Sequence, residues 1–232
     1  MKTIGLIGGM SWESTVTYYQ VINRVIQAEL GGLHSAKCII YSVDFQEIEQ
    51  CQVNGNWDKS GKILAQAAAS LQQSGADFII VCTNTMHKVF ADIQMAITIP
   101  ILHIAETTAL SLKTQHIKKV ALLGTQYTME QNFYKQVIMN HGIEVIIPAP
   151  EDRAIINNII YQELCLGLIK AESKRAFLTI MHKLANDGAQ GIILGCTEIG
   201  LLIKQTDTAI ALFDTCFIHA QYAALEAVGR HK

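Results

Sequence analysis

The sequence predicts an α/β protein of two pseudo-symmetric, doubly wound domains, each built on a mainly parallel sheet. Three observations lead there. Gly75–Thr85 is echoed by Gly188–Glu198 at a constant shift, and Ile4–Gly8 matches Val120–Gly124 at a slightly longer one, as a single loop indel produces. Short β-branched runs alternate with longer helical patterns, the signature of βα units. The strand-like runs are almost continuously apolar, which suits sheets covered by helices on both faces.

Taken in order, 2–8 reads as the first strand and ends in the glycine turn Gly8-Gly9. It is too short for a signal-peptide core. Gly31-Gly32 closes the first helix, and 37–43 is the next strand. In 57–73 the residues Ile63, Leu64, Ala67 and Leu71 share a helical face. Strands follow at 77–82, 99–103, 118–123 and 143–147. Pro148-Ala149-Pro150 breaks the chain before a helical segment, 151–167, with Ile155, Ile156, Ile159, Ile160 and Leu164 on one side. The last strands are 190–195 and 209–213. The repeat sets the expected domains at 1–97 plus 207–232 and at 98–206, the C-terminal residues returning to complete the first half.

Composition narrows the function. The 232 residues are 50% hydrophobic and 16% charged, with a net charge of −2, which marks a packed globular chain without a basic field for nucleic acid. No apolar run approaches the ~18 residues of a membrane span. The six cysteines, Cys38, Cys51, Cys82, Cys165, Cys196 and Cys216, form no Cys-x-x-Cys pair, and free thiols in a reducing cytoplasm are expected. The glycines at 5, 8 and 9 lack dinucleotide-fingerprint spacing. No histidine pair has metal-ligand spacing supported by a third ligand.

Open parallel sheets bind ligands beyond the carboxyl ends of their strands. Four such ends carry small polar clusters: Gly8-Gly9-Met10-Ser11, Thr83-Asn84-Thr85, Gly124-Thr125 and Cys196-Thr197-Glu198. Each alone is an ordinary helix cap, but four at equivalent positions of a duplicated fold point to a binding site in a shared cleft. In the register of the repeat, Cys196 falls opposite Thr83, and Cys82 opposite Gly195. A strand end beside a helix N-terminus is expected to lower the Cys196 thiol below its usual value of about 8.5. Cys82, one residue before Thr83, should face a packed layer because strand side chains alternate. His87 serves either a structural or capping role or a substrate contact; Asp44, Glu106 and Asp214 could orient polar groups.

These residues resemble the aspartate/glutamate racemase superfamily. The resemblance is carried by Ile4–Ser14, Thr83-Asn84-Thr85-Met86-His87, Gly124-Thr125 and Gly195-Cys196-Thr197-Glu198. It implies a pair of α/β domains with the active site between them, dimerisation, and neither cofactor nor metal. Family racemases typically use two cysteines, one on each face of the substrate α-carbon. The second matches Cys196, but Thr83 stands at the first, so the chain is similar to a branch with a Thr/Cys pair acting on acidic L-amino acids or a broader range.

The expected function is racemisation of L-aspartate or L-glutamate, with Cys196 thiolate taking the α-proton and Thr83 donating on the opposite face. Backbone groups around Asn84, Thr85 and Thr197 would hold the α-carboxylate. The resemblance implies a basic residue for the distal carboxylate, but segment 44–57 contains neither Lys nor Arg, so Gln52 is the expected substitute, with Met10 and Thr125 nearby. A one-cysteine decarboxylase, a maleate-type isomerase and a weak amino-acid-binding protein are the alternatives. The expected assembly is a homodimer.

Overall fold

Parallel pairing builds each half of the chain. In the computed structural model, which describes residues 1–230, β1 (Ile4–Gly8), β2 (Cys38–Ser42), β3 (Phe78–Val81) and β4 (Ile101–Leu102) form one sheet in the order β2-β1-β3-β4. The strands β5 (Lys119–Gly124), β6 (Glu144–Ile146), β7 (Gly191–Gly195) and β8 (Ala211–Asp214) form a second sheet in the order β6-β5-β7-β8. All pairings are parallel. Each strand coincides with one read from the sequence.

The duplication extends to register. Leu6 pairs with Ile80, and their counterparts in the repeat, Leu122 and Ile193, pair in the second sheet. The boundaries differ from those expected. Among the described residues, one unit comprises 1–104 with 219–230, and the other comprises 105–218. The reason is strand pairing: β4 bonds to β3 and stays with the first sheet, whereas β8 bonds to β7 and stays with the second. Splits near 98 and 207 would have pulled both strands from their partners.

Helices connect the strands: α1 (Trp12–Leu30), α2 (Phe45–Val53), α3 (Trp57–Gln73), α4 (Phe90–Met95), α5 (Ile104–Thr114), α6 (Gln126–Glu130), α7 (Asn132–Asn140), α8 (Pro150–Gln162), α9 (Ala171–Asn186), α10 (Ile199–Leu202) and α11 (Thr215–Ala227). The predicted face of α3 packs Leu64, Ala67 and Leu71 against Ile7, Ile79 and Val81 of the first sheet. In the second unit Ile156, Ile160, Phe177 and Ile180 meet Ala121, Leu123, Ile192 and Leu194. Burying each such aliphatic side chain contributes about 1.5–3 kcal/mol. The helix expected over 151–167 stops earlier, because Glu163 leaves helical geometry and Leu164–Leu166 form a 3-10 turn closed by left-handed Gly167. Ile155 of that segment faces solvent rather than the core.

A buried histidine ties α11 to the first sheet. The His219 Nε2–H donates to the Leu102 carbonyl at 2.9 Å, so its Nδ1 accepts from the Tyr18 hydroxyl at 2.8 Å. Burial pushes its pKa down to about 3, helped by the neighbouring His103 and opposed by the Leu102 bond. His87 is lowered in the same direction, first by burial and then by His103 and His219. Charging these rings requires breaking their surroundings, so the stability they contribute is complete above about pH 6.5 and is lost as pH falls towards 3. His219→Gln keeps a donor for Leu102 but removes the proton site. Urea unfolding between pH 6.5 and 4 should show a pH slope shallower than wild type by up to about 1.4 kcal/mol per pH unit.

Candidate active site

Thr83 stands just beyond β3. Its amide donates to Val81 O at 2.9 Å, while Cys82 donates to Ile7 O and stays tied to β1. Cys82 is fully buried and its thiol is pushed far up by burial, the behaviour of a packed core sulfur. Thr83 retains 9% exposure. Asn84 and Thr85, both buried, lead into a 3-10 turn, Thr85–Val89.

His87 holds this segment from beneath. Its Nε2 accepts the Ile104 amide proton at 3.2 Å, which leaves Nδ1–H to donate to the Thr83 carbonyl at 2.8 Å. Both ring nitrogens are therefore occupied by backbone, and the ring is held neutral. Of the two roles open to His87 in the sequence, the geometry supports the structural one: it fixes the carbonyl of Thr83.

In the second unit, Cys196 follows β7 directly. Its Sγ donates to Glu198 Oε2 at 3.0 Å, and the Thr197 hydroxyl donates to the same oxygen at 2.8 Å. Glu198 is 2% exposed. The sequence exposed the Gly-Cys-Thr-Glu motif but gave Glu198 no task; only folding back of the turn brings its carboxylate onto the sulfur. Gly195 explains why the thiol lies at 196 and not one residue earlier, as at Cys82. A side chain at 195 would meet Leu122 Cδ1 at 2.6 Å and the Leu123 carbonyl at 2.7 Å.

The expected lowering of the Cys196 thiol is overturned. Its pKa is raised well above the usual value, first by burial, then by the negative charges of Glu198 and Cys165 and the hydrogen bond to Glu198, against one backbone bond from Glu198. The helix after it, α10, has four residues, too few to build an appreciable dipole. In the resting site the sulfur carries its proton.

The remaining predicted contacts divide between the units. Met10 and Gln52 are buried in the first unit, where Gln52 Nε2 donates to Met86 Sδ at 3.1 Å. Gly9, with φ 92°, passes within 2.3 Å of the Val43 carbonyl by the position of a would-be Cβ, so the turn bearing Met10 requires glycine there. Thr125 caps α6 in the second unit, its Oγ1 accepting from Thr128 N at 3.3 Å. Asp44 likewise caps α2, and Glu106 pairs with His141 at 2.7 Å. Asp214 Oδ1 accepts from Phe217 N at the start of α11. Among the described residues no group of three His, Cys, Asp or Glu is arranged to hold a metal ion, and no helix is long and apolar enough to cross a membrane.

Comparison with known proteins identifies the family. The family described as Asp/Glu/Hydantoin racemase matches residues 7–223. The chain is similar to the broad-specificity amino-acid racemase of Bacillus subtilis, at 26% identity covering 91% of this chain and 92% of that one. It is similar to the solved structure of a candidate Asp/Glu racemase from Yersinia pestis, at 55% identity and TM-score 0.91, covering 98% and 100%. It also matches an aspartate racemase homologue from Pyrococcus horikoshii, at 35% identity and TM-score 0.85, with the same coverage.

The environment of Cys196 can be read by alkylation. Iodoacetamide labelling followed by peptide mass spectrometry should find Cys196 slow near neutral pH and faster only in alkaline solution. Burial is the larger cause of the raised thiol and remains in Glu198→Gln, but the variant removes the charge that adds to it, so its labelling profile should move to lower pH. A profile that stays in place would show that Glu198 does not govern the sulfur.

Proposed function

This chain belongs to the Asp/Glu/Hydantoin racemase family, and from that premise we propose a cofactor-independent racemase of acidic amino acids in which Cys196 and Thr83 serve opposite faces of the α-carbon. The enzyme is an isomerase of the amino-acid racemase class. The observation that carries the mechanism is the Cys196–Glu198 contact at the strand end equivalent to Thr83.

Proton transfer from Cys196 to Glu198 converts a thiol and a carboxylate into a thiolate and a carboxylic acid without changing net charge. The thiolate then removes the α-proton of the L-amino acid, and the electron pair left on carbon delocalises into the α-carboxylate. Backbone N–H groups of Asn84, Thr85 and Thr197 stabilise that charge. Thr83 delivers its hydroxyl proton to the opposite face, forming the D-enantiomer; its alkoxide takes a proton from water, and the hydroxide so formed is neutralised by the proton held on Glu198, which restores the thiol and the carboxylate. The ammonium group of the substrate, entering beside these residues, opposes the effect of burial on the thiol.

The pair is unequal. A threonine hydroxyl donates to a carbanion readily but is a poor base, so turnover runs effectively from L and poorly from D. His87, by fixing the Thr83 carbonyl, keeps that residue in one orientation. The Gln52 carboxamide is the polar group suited to a distal carboxylate, and an uncharged amide there fits a range that includes glutamate as well as aspartate. The names of the relatives, one broad in specificity and one an aspartate racemase homologue, support the same range.

Incubation with L- and D-aspartate and glutamate in heavy water tests the reading. Deuterium should enter the α-carbon and chiral chromatography should detect the opposite enantiomer; loss of CO₂, or no exchange at all, would refute it. Cys196→Ala should lower turnover by at least about 10³-fold, whereas Cys82→Ala should keep most of it.

Thr83→Cys should raise kcat/KM for the D-enantiomer by about tenfold or more, corresponding to ~1.4 kcal/mol of transition-state stabilisation. An unchanged D-to-L rate in the folded variant would refute the two-sided mechanism.

A further inference from the structure

A second thiol lies beside Cys196, and racemisation gives it no task. Cys165 sits in the 3-10 turn Leu164–Leu166, which follows α8 and ends at left-handed Gly167. Leu164 is fully buried in the same apolar cluster as Cys196, and Cys165 packs against that cluster from its edge. The two sulfurs are near enough that charge on Cys165 acts on Cys196. Both are reduced in the structure.

Exposure separates Cys165 from the other thiols of its unit. Cys196 and Cys216 are buried, whereas Cys165 is partly open to solvent. The residues after it are open as well: Leu166 is 64% exposed and Ile169 52%. Apolar side chains left in water gain little from packing, and segments of this kind shift locally at low cost. A thiol with a purely structural role belongs inside the core, as Cys82 does.

We infer that Cys165 and Cys196 are joined as a reversible disulfide by a hydroperoxide, a modification that withdraws Cys196 from catalysis. The pairing itself is independent of the racemase reading; its effect on turnover rests on that reading.

The chemistry runs through the open thiol first. The Cys165 sulfur attacks a peroxide oxygen; the O–O bond breaks, an S–O bond forms, and an alcohol, or water from hydrogen peroxide, departs. The sulfur is oxidised to a sulfenic acid and the peroxide is reduced. Cys196 then displaces hydroxide from the sulfenic sulfur, so that the S–S bond forms as the S–O bond breaks. Glu198 is placed for this step, because its Oε2 already accepts from Cys196 Sγ at 3.0 Å. It takes the thiol proton and passes it to the departing hydroxide, giving water. Two thiols and one hydroperoxide thus become a disulfide, an alcohol and water.

Burial and charge that hold Cys196 protonated also slow its direct oxidation, which makes the exposed neighbour the point of entry. The bridge in turn keeps the buried sulfur from the sulfinic and sulfonic acids, which thiols do not reverse.

Wild-type protein treated with equimolar hydrogen peroxide, blocked with iodoacetamide under denaturing conditions and digested reveals the pairing by peptide mass spectrometry. The expected product joins the peptides of Cys165 and Cys196, is lighter by two hydrogen atoms than the two thiols, and disappears with dithiothreitol. Racemisation of L-aspartate by the oxidised protein should fall by about tenfold or more and return on reduction. Cys165→Ser should form no such product and should keep most of its own starting rate through the same treatment. A crosslink without loss of turnover would uphold the pairing and count against Cys196 as the base. The crosslink is read in the wild type, so the variant need not fold for the pairing to be judged. Recovery of Cys196 as thiol or sulfinic acid with no crosslink, in oxidised wild type of native circular dichroism, would overturn the inference, since a bridge requires Cα atoms within about 7 Å.

Discussion

Parallel pairing of β1 with β3, and of β5 with β7, decides which residues stand at the carboxyl end of each sheet. Moving a strand by one residue would turn Cys82 out and Thr83 in, because neighbouring side chains point to opposite faces. The same pairing brings Gly124 beside Gly195, an approach that leaves no room for a side chain at 195. The side chains that stand at the two strand ends are thus selected by backbone packing.

Burial then sets the terms of their chemistry. A sulfur enclosed by the core and hydrogen-bonded to a carboxylate is held in its protonated form, first by burial and then by that charge. Thr197 donates to the same oxygen and holds the carboxylate in place. In the first half, His87 does comparable work through the backbone, with both nitrogens engaged by Thr83 and Ile104.

Much of the fold was legible because apolar runs of strand length leave few alternatives, and because the duplication repeats its register as well as its residues. The domain edges were harder. β4 has two residues and carries little signal of its own, and the return of the C-terminal residues to the first half did not reveal that β8 first pairs with β7, the strand just before it. For the site, the positions of Thr83 and Cys196 at strand ends could be read from alternation and the repeat. The direction of the Cys196 shift could not, since it depends first on how completely the sulfur is buried, then on Glu198 turning back onto it, with a helix too short to oppose either. The saturation of His87 was likewise invisible, because one of its partners, Ile104, lies beyond α4 and β4.

The first unit is discontinuous, and that has a bearing on synthesis. Its final elements include His219, which closes over Tyr18 and Leu102, and Ala227, whose carbonyl accepts the Lys2 amide proton at 2.8 Å. On the ribosome, residues 105–218 emerge as one uninterrupted stretch while the earlier segment still lacks those partners. At typical elongation rates the gap lasts on the order of 10 s. The part of the chain made first is therefore completed last, and for that interval the surface awaiting α11 depends on chaperones or on speed to stay out of wrong associations.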